Sequence, residues 1–267
     1  WIEPELRENE GEIEAGLQGK LPKLVDLKDI KGDLHCHSDW NGGADSIEKM
    51  VKMAMDLGYE YIGISDHTQF LKIEHGLNEK QLLKQHEAIK KINDKIQKQG
   101  NRFKVLHGCE ANIMTDGSID IKDEVLEKLD YVIAGIHSMH KMQKEEMTKR
   151  LVKAMENHNV DIISHPTGRL IGSRDEIQLD FDKILEVAKE TGTILEINSS
   201  PHRLDLKDIY IRRAKQAGVK MIINADAHQK EQMRLMDYGV GMARRGWAEK
   251  LDIINTLPAQ ELLNHFK

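Results

Sequence analysis

Strand-like apolar runs alternate with helix-like segments along most of the chain, and this order constrains the fold more than any other feature. Seven runs have strand character: Gly32–His35, Tyr61–Ser65, Lys104–Cys109, Tyr131–Ile136, Asp161–Ser164, Thr193–Ile197 and Lys220–Asn224. Between most of them lie segments that predict helices: Ser46–Leu57, Glu79–Gln99, Glu145–Asn157, Phe181–Thr191 and Leu206–Ala217. Such alternation predicts an α/β fold with a parallel sheet, and seven units favour a closed barrel over an open sheet.

The length of 267 residues fits one α/β barrel domain. We interpret residues 1–30, which are rich in Glu and Gly, as a lead-in segment outside the core, and residues 31–267 as the domain. The chain begins with Trp1 rather than Met, so we expect it to be part of a longer protein.

Composition narrows the class of protein further. No apolar run approaches the roughly 18 residues that span a bilayer, so we expect no membrane partner. The two cysteines, Cys36 and Cys109, lie inside strand-like runs, which indicates reduced thiols in a cytoplasmic protein. A net charge of −6 provides no broad attraction to nucleic acid, although bound divalent cations would offset it locally.

Residues that commonly bind metals stand where the predicted strands end. In parallel α/β barrels these ends meet at one mouth, which is where active sites lie. A single histidine at a strand end is more often a hydrogen-bonded structural residue, but a repeated pattern predicts a cluster. The predicted ligands are His35, His37, His67, Glu110, His137, His165, Asp226 and His228.

Imidazole and carboxylate ligands without thiolates suit Zn²⁺, Mn²⁺ or Fe²⁺. Eight ligands exceed the four of one tetrahedral site, so we expect two or three divalent ions, with Glu110 placed to bridge a pair. Closely spaced metals activate water and stabilise both the attacking and the leaving oxygen in phosphoryl transfer. We assign catalytic roles to Glu110, Asp226 and His228.

These residues lie in segments that resemble the PHP (polymerase and histidinol phosphatase) superfamily, and within it the C-terminal PHP domain of bacterial and archaeal family X DNA polymerases. The segments are GDLHCHS, ISDHT, HGCEANI, AGIHS, SHPTGRL, LEINSSPHRLDL and NADAH, preceded by PELRENEGEIEA, which resembles the family's connection to the polymerase. The resemblance covers essentially the whole chain. It implies a distorted seven-stranded (β/α) barrel with a trinuclear site.

The resemblance also implies an activity, a substrate and a partner. The activity is a Mn²⁺-stimulated 3′→5′ exonuclease with DNA ends as its substrate, and abasic-site cleavage or 3′-phosphate removal are related possibilities. The implied partner is a family X polymerase domain in cis.

One turn departs from the family pattern, because WNGG places Gly42 where members usually carry an aspartate. Asp45 or Asp39 are candidates to replace that ligand, although Asp45 is equally suited to the start of the following helix. Two arginines, Arg169 and Arg203, are candidates to bind the substrate phosphate, with ordinary salt bridges as the alternative.

Three functions remain open from the sequence. The first is a metal-dependent nuclease acting on DNA ends. The second is a phosphomonoesterase of the histidinol-phosphatase type, which would use the same chemistry. The third is a non-catalytic module that scaffolds a polymerase, which the full set of predicted ligands disfavours.

Overall fold

The computed structural model describes residues 1–71 and 75–266, and all paired strands in this part are parallel. The strands are β1 (Gly32–Asp33), β2 (Tyr61–Ile64), β3 (Lys104–His107), β4 (Glu110–Asn112), β5 (Ile133–Gly135), β6 (Ile162–Ile163), β7 (Ile194–Asn198) and β8 (Met221–Asn224). They form one sheet in the order β1-β2-β3 and a second in the order β4-β5-β6-β7-β8.

The helices are α1 (Glu12–Leu17), α2 (Ile47–Asp56), α3 (Glu79–Lys98), α4 (Asp123–Leu126), α5 (Lys144–Met155), α6 (Phe181–Thr191), α7 (Asp208–Ala217), α8 (Met236–Arg245) and α9 (Ala259–Leu263). All five predicted helices are present, and α6 has the predicted bounds. Sequence periodicity did not identify α1, α4, α8 or α9. No helix in the described ranges is long and apolar enough to cross a membrane.

The run predicted as one strand, Lys104–Cys109, is divided into two. β3 pairs with β2 and β4 pairs with β5, and the change of partner occurs at Gly108 and Cys109. A Cβ atom on Gly108 would lie 2.4 Å from the Tyr131 ring, so only glycine allows the chain to pass this ring.

The predicted single closed barrel is not confirmed, because the paired strands form two sheets. Isolated parallel bridges, Cys36–Ala227 and His67–Glu110, join the sheets near the C-terminal ends of the strands. Two strands end where the next residues leave the extended conformation: His165 has φ 30° and Asp226 has φ 54°. Both are predicted metal ligands, so the backbone leaves the extended conformation at residues of the candidate site.

Two apolar layers hold the elements together. One residue from each of several strands enters an inner cluster, which Ile254 and Leu262 of the C-terminal segment join. The remaining core lies between the strands and the surrounding helices. This arrangement fixes the strand ends relative to each other, and the candidate site is built on them.

Residues 1–30 were expected to contribute nothing to the core, and this is wrong at three positions. Leu6, Val25 and Ile30 are 1 %, 0 % and 5 % exposed. Arg244 of α8 donates to Glu5 Oε1 at 2.7 Å and to the Val25 carbonyl at 3.1 Å. The apolar residues are isolated from each other in sequence, so no periodicity marked them as core.

Candidate metal centre

Eight side chains meet in one cluster, seven of them just after the ends of β1, β2, β5, β6 and β8 and one at the start of β4. They are His35, His37, His67, Glu110, His137, His165, Asp226 and His228. These are the eight predicted by the sequence pattern. Five of them are buried, and His228 is the most open, with its side chain 36 % exposed. The cluster therefore reaches solvent on the His228 side.

Glu110 lies at the centre of the cluster. Its Oε2 atom is 2.8 Å from His67 Nδ1, 3.2 Å from His35 Nε2 and 3.6 Å from His37 Nε2. Its Oε1 atom is 3.1 Å from His137 Nε2 and 3.0 Å from His165 Nε2. One carboxylate thus faces five imidazoles, which is the position of a bridging ligand.

Asp226 is the second carboxylate of the cluster. Its Oδ1 atom is 3.4 Å from His35 Nε2 and 3.3 Å from His37 Nε2. His228, two residues later, directs Nδ1 to the Asp226 carbonyl oxygen at 3.1 Å. This contact occupies Nδ1 and leaves the His228 Nε2 atom available.

Several of these atoms are close together without forming hydrogen bonds. His35 Nε2, both ring nitrogens of His37, His67 Nδ1 and Glu110 Oε2 are buried and have no hydrogen-bond partner among the described residues. An unpaired buried polar group costs about 1–3 kcal/mol. Nitrogen and carboxylate oxygen atoms that lie close together in the protein interior without hydrogen bonds fit a cation among them.

The protonation states of Glu110 and His37 also favour the binding of a cation. Burial alone would raise the pKa of Glu110, but the His35, His67 and His137 rings outweigh it and hold that pKa well below its usual range. Burial, and then the neighbouring His228 and His67 rings, lower the pKa of His37. An ionised carboxylate and a neutral imidazole are the forms that bind metal ions.

Two rings show the opposite shift. Burial opposes protonation of His35 and His67, but the surrounding carboxylates, including Glu110, outweigh it and raise both pKa values. The protons that these rings hold are those that a bound cation would displace, which couples metal binding to proton release.

Comparison with known proteins places this geometry in a family. The family model described as "PHP domain" matches residues 33–200, more than half of the chain. The chain belongs to the PHP domain family. At this level of description it is a PHP-domain phosphoesterase.

Relatives and solved structures agree with this membership. The chain is 42 % identical, over 95 % of its length, to a Bacillus subtilis protein named DNA polymerase/3′-5′ exonuclease PolX, and it spans 44 % of that relative. It is 32 % identical to a probable phosphatase of Caldanaerobacter subterraneus over 73 % of the chain and 75 % of the relative. The fold matches Lactococcus lactis histidinol phosphate phosphatase, solved with zinc, L-histidinol and phosphate, with a TM-score of 0.59, 18 % identity, and coverage of 82 % of this chain and 95 % of that chain.

A buried carboxylate of this PHP domain, Glu196, was missed by the sequence reasoning. Its Oε1 atom is 2.7 Å from His35 Nδ1, and its Oε2 atom accepts the His165 backbone N–H at 2.8 Å. Asn198 and Asn224 also donate to it. The hydrogen bond at Nδ1 orients the His35 ring and directs its Nε2 atom toward Glu110 and Asp226.

The sequence did contain a signal for Glu196. A single acidic residue in the apolar strand ILEIN, two positions before Asn198, places two polar side chains on one face. Asn112 plays a similar part for His137, since the two side chains meet at 2.8 Å through Asn112 Oδ1 and His137 Nδ1.

The Asp45 carboxylate has partners outside the PHP-domain cluster. It accepts the Lys230 backbone N–H at 3.1 Å and lies 3.3 Å from Lys49 Nζ and 3.6 Å from Lys230 Nζ. Because its oxygens face two lysines and not the histidines, we do not include Asp45 in the proposed ligand set. Asp39 is exposed.

The two predicted phosphate-binding arginines differ. Arg169 donates from Nε to the Arg203 carbonyl at 2.7 Å and from a terminal nitrogen to the Leu204 carbonyl, so these two donors hold the loop. A contact between Arg169 and the substrate phosphate stays a prediction. Arg203 Nε is 3.4 Å from Asp226 Oδ2, and its buried NH1 atom has no hydrogen-bond partner in the described part of the chain.

Replacement of Glu196 with glutamine should lower metal affinity about 10–100-fold, the usual effect of losing a residue that orients a metal-binding histidine. The amide cannot hold the His35 ring and accept from two asparagines as the carboxylate does. Zinc titration against a competing chelator measures this effect. Glu186→Gln, on the exposed face of α6, is the matched control. Equal zinc affinity in Glu196→Gln and wild type would contradict the positioning role.

Proposed function

We propose that this PHP domain is a metal-dependent 3′→5′ exonuclease that hydrolyses phosphodiester bonds at DNA ends. The observation that carries the proposal is the buried cluster of unpaired nitrogen and oxygen atoms beside the unpaired guanidinium nitrogen of Arg203. A cation site next to a guanidinium nitrogen that has no hydrogen-bond partner suits a phosphate ester. The name of the Bacillus subtilis relative supports an exonuclease rather than another phosphoesterase.

Two or three divalent ions are proposed, drawn from Mn²⁺, Zn²⁺ and Fe²⁺. Three groups have ligand atoms within 4.8 Å of one another: His37, His67 and His228; His35, His37 and Glu110; and His67, Glu110 and His137. Bound ions would supply Lewis acidity and neutralise negative charge that develops on the phosphate.

The catalytic residues that we propose are Glu110, Asp226 and His228. Glu110 keeps five imidazoles in place, and Asp226 links His35 and His37 to Arg203. Arg203 would bind the non-bridging oxygens of the phosphate through its fork of N–H groups. His228 is the most exposed member, so substrate would approach past it.

The finer architecture belongs to the same proposal. The bridges Cys36–Ala227 and His67–Glu110 support a distorted closed barrel of seven strands, in which β3 and β4 form one bent strand. Residues 1–30 would lead into the domain at 31–267 from a family X polymerase domain in cis. Both cysteines are free and buried, which supports a cytoplasmic protein.

A phosphomonoesterase is the second candidate function. The probable phosphatase of Caldanaerobacter subterraneus is covered over 75 % of its length, whereas the exonuclease relative is covered over 44 %. A scaffolding role without catalysis is disfavoured, because the eight cluster residues are all present and in contact.

A gel time course on 5′-end-labelled DNA with Mn²⁺ tests the proposal. We expect a ladder that shortens from the 3′ end, and no products when EDTA removes the cation. Histidinol phosphate and a 3′-phosphorylated strand are run in parallel. Intact DNA together with rapid hydrolysis of histidinol phosphate would reject the exonuclease and favour the phosphomonoesterase.

A further inference from the structure

A polar cavity of about 570 Å³ lies next to the Arg203 loop. Its wall is the segment 169–176 together with Lys207, and none of the eight cluster residues lines it. Arg169 joins the two regions, because it lines the cavity and donates to the carbonyls of Arg203 and Leu204. The volume is that of a small-molecule binding site and accommodates a nucleotide unit.

Among the described residues, two of the three cations that line this cavity, Arg169 and Arg174, form no ion pair. Arg174 donates from Nε to the Gly168 carbonyl at 2.8 Å, and no ion pair joins it to a carboxylate of the described residues. Lys207, by contrast, is paired with Glu176, which also accepts from the Tyr210 hydroxyl at 3.1 Å. Two nitrogens of Arg169 are bound to the Arg203 and Leu204 carbonyls, whereas both terminal nitrogens of Arg174 lack a hydrogen-bond partner among the described residues and are available to a ligand.

The charge of Arg174 is also influenced by the Arg203 guanidinium, whose Nε atom contacts Asp226. Burial, followed by the positive charge of Arg203, lowers the pKa of Arg174. Arg203 itself has a buried NH1 atom without a hydrogen-bond partner. Two neighbouring cations repel each other, and an anion that lies between or across them removes this cost.

We infer that the cavity binds a second phosphate of a nucleic acid strand, the one next to the phosphate being hydrolysed, and that Arg174 is its contact. The inference rests on the proposed exonuclease function. Arg203 contacts Asp226 of the cluster, so we assign it to the phosphate that is hydrolysed. Arg174 lines the cavity, which Arg169 connects to the Arg203 loop, so we assign it to the next phosphate. The cavity would favour a strand over a phosphomonoester, because only a strand carries a second phosphate.

Two substrates that differ in phosphate number test this role. One is thymidine 5′-(p-nitrophenyl phosphate), which has only the hydrolysed phosphate, and the other is a 5′-labelled oligothymidylate. In Arg174→Gln we expect KM for the oligonucleotide to rise about tenfold, and KM for the one-phosphate ester to change much less. The slope of log KM against log salt concentration for the oligonucleotide should decrease by about 0.7, as for one lost phosphate contact on a single strand.

Three further variants separate a phosphate contact from a structural effect. Arg174→Lys keeps the charge and should recover part of the loss. Asp175→Asn removes an exposed acid of the cavity wall and should lower KM for the oligonucleotide. Arg102→Gln makes the same charge change at an exposed position that precedes the N-terminal end of β3. It should leave KM for both substrates unchanged.

The outcomes distinguish this inference from the proposed function. Wild-type protein that hydrolyses histidinol phosphate but neither nucleotide substrate would overturn both. Wild-type protein that cleaves the oligonucleotide, with Arg174→Gln unchanged, would overturn the second-phosphate site alone. An equal loss on both substrates, or an equal loss in Arg102→Gln, would also overturn it.

Discussion

Replacement of His35 with alanine should lower kcat/KM by about 1,000-fold or more, which corresponds to about 4 kcal/mol of transition-state stabilisation. His35 is completely buried and faces both central carboxylates, with Nε2 3.2 Å from Glu110 and 3.4 Å from Asp226. Its loss removes one proposed ligand and leaves Glu196 without the ring that it orients. Asp226→Ala should have an effect of similar size, because Asp226 contacts two histidines and Arg203. Hydrolysis rates in Mn²⁺ at saturating metal measure both effects.

The control for these variants is another histidine. His158 is exposed and lies 3.6 Å from Glu127, away from the cluster, so His158→Ala should retain wild-type rates. Thermal melting shows whether His35→Ala and Asp226→Ala remain folded. A folded His35→Ala protein with wild-type rates and wild-type metal content would refute the site assignment.

Glu110→Gln should remove bound metal and, with it, the stabilisation that metal provides. The amide carries no charge to balance the cations between five imidazoles. In wild type, metal at 100 times its Kd contributes about 2.7 kcal/mol, so chelation should lower Tm by roughly 5 °C for a domain of this size. In Glu110→Gln, elemental analysis should show the loss of at least one ion, and EDTA should lower Tm by less than it does in wild type.

Ser164→Ala is the matched control for Glu110→Gln. The Ser164 hydroxyl donates to Glu110 Oε1 at 2.9 Å, so its removal affects the same carboxylate but keeps the charge. This variant should keep its metal and its response to EDTA. If Glu110→Gln bound as much metal as wild type and lost the same Tm on chelation, Glu110 would not be a bridging ligand.

Local patterns predicted the regular elements well. The amphipathic spacing of Phe181–Thr191 specified α6 with its observed bounds, because one face of this helix packs on the core. Buried strands such as β7 were recognisable as short apolar runs. The lead-in segment was misjudged, since the burial of Leu6, Val25 and Ile30 depends on contacts with distant parts of the chain, such as those of Arg244 with Glu5 and Val25.

The roles of polar residues were harder to predict than their presence. Asp45 has a suitable side chain for binding a metal, but two lysines contact it. Arg169 has a suitable side chain for binding a phosphate, but it donates to backbone carbonyls. The spacing of residues in the sequence does not show which of several possible partners a flexible side chain contacts in the folded protein. Glu196 was missed for the converse reason, because its significance depends on a 2.7 Å contact with His35, which is 161 positions away.

The sequence by itself determined the parallel α/β class and the eight members of the cluster. It could do so because strand alternation and a residue at each strand end are local properties, and parallel strands bring their C-terminal ends to one edge. Only the tertiary structure decided that the strands form two sheets, that five imidazoles surround Glu110, and that Arg203 contacts Asp226 of the cluster. These depend on distances between residues far apart in the chain, which side-chain packing sets and local spacing does not contain.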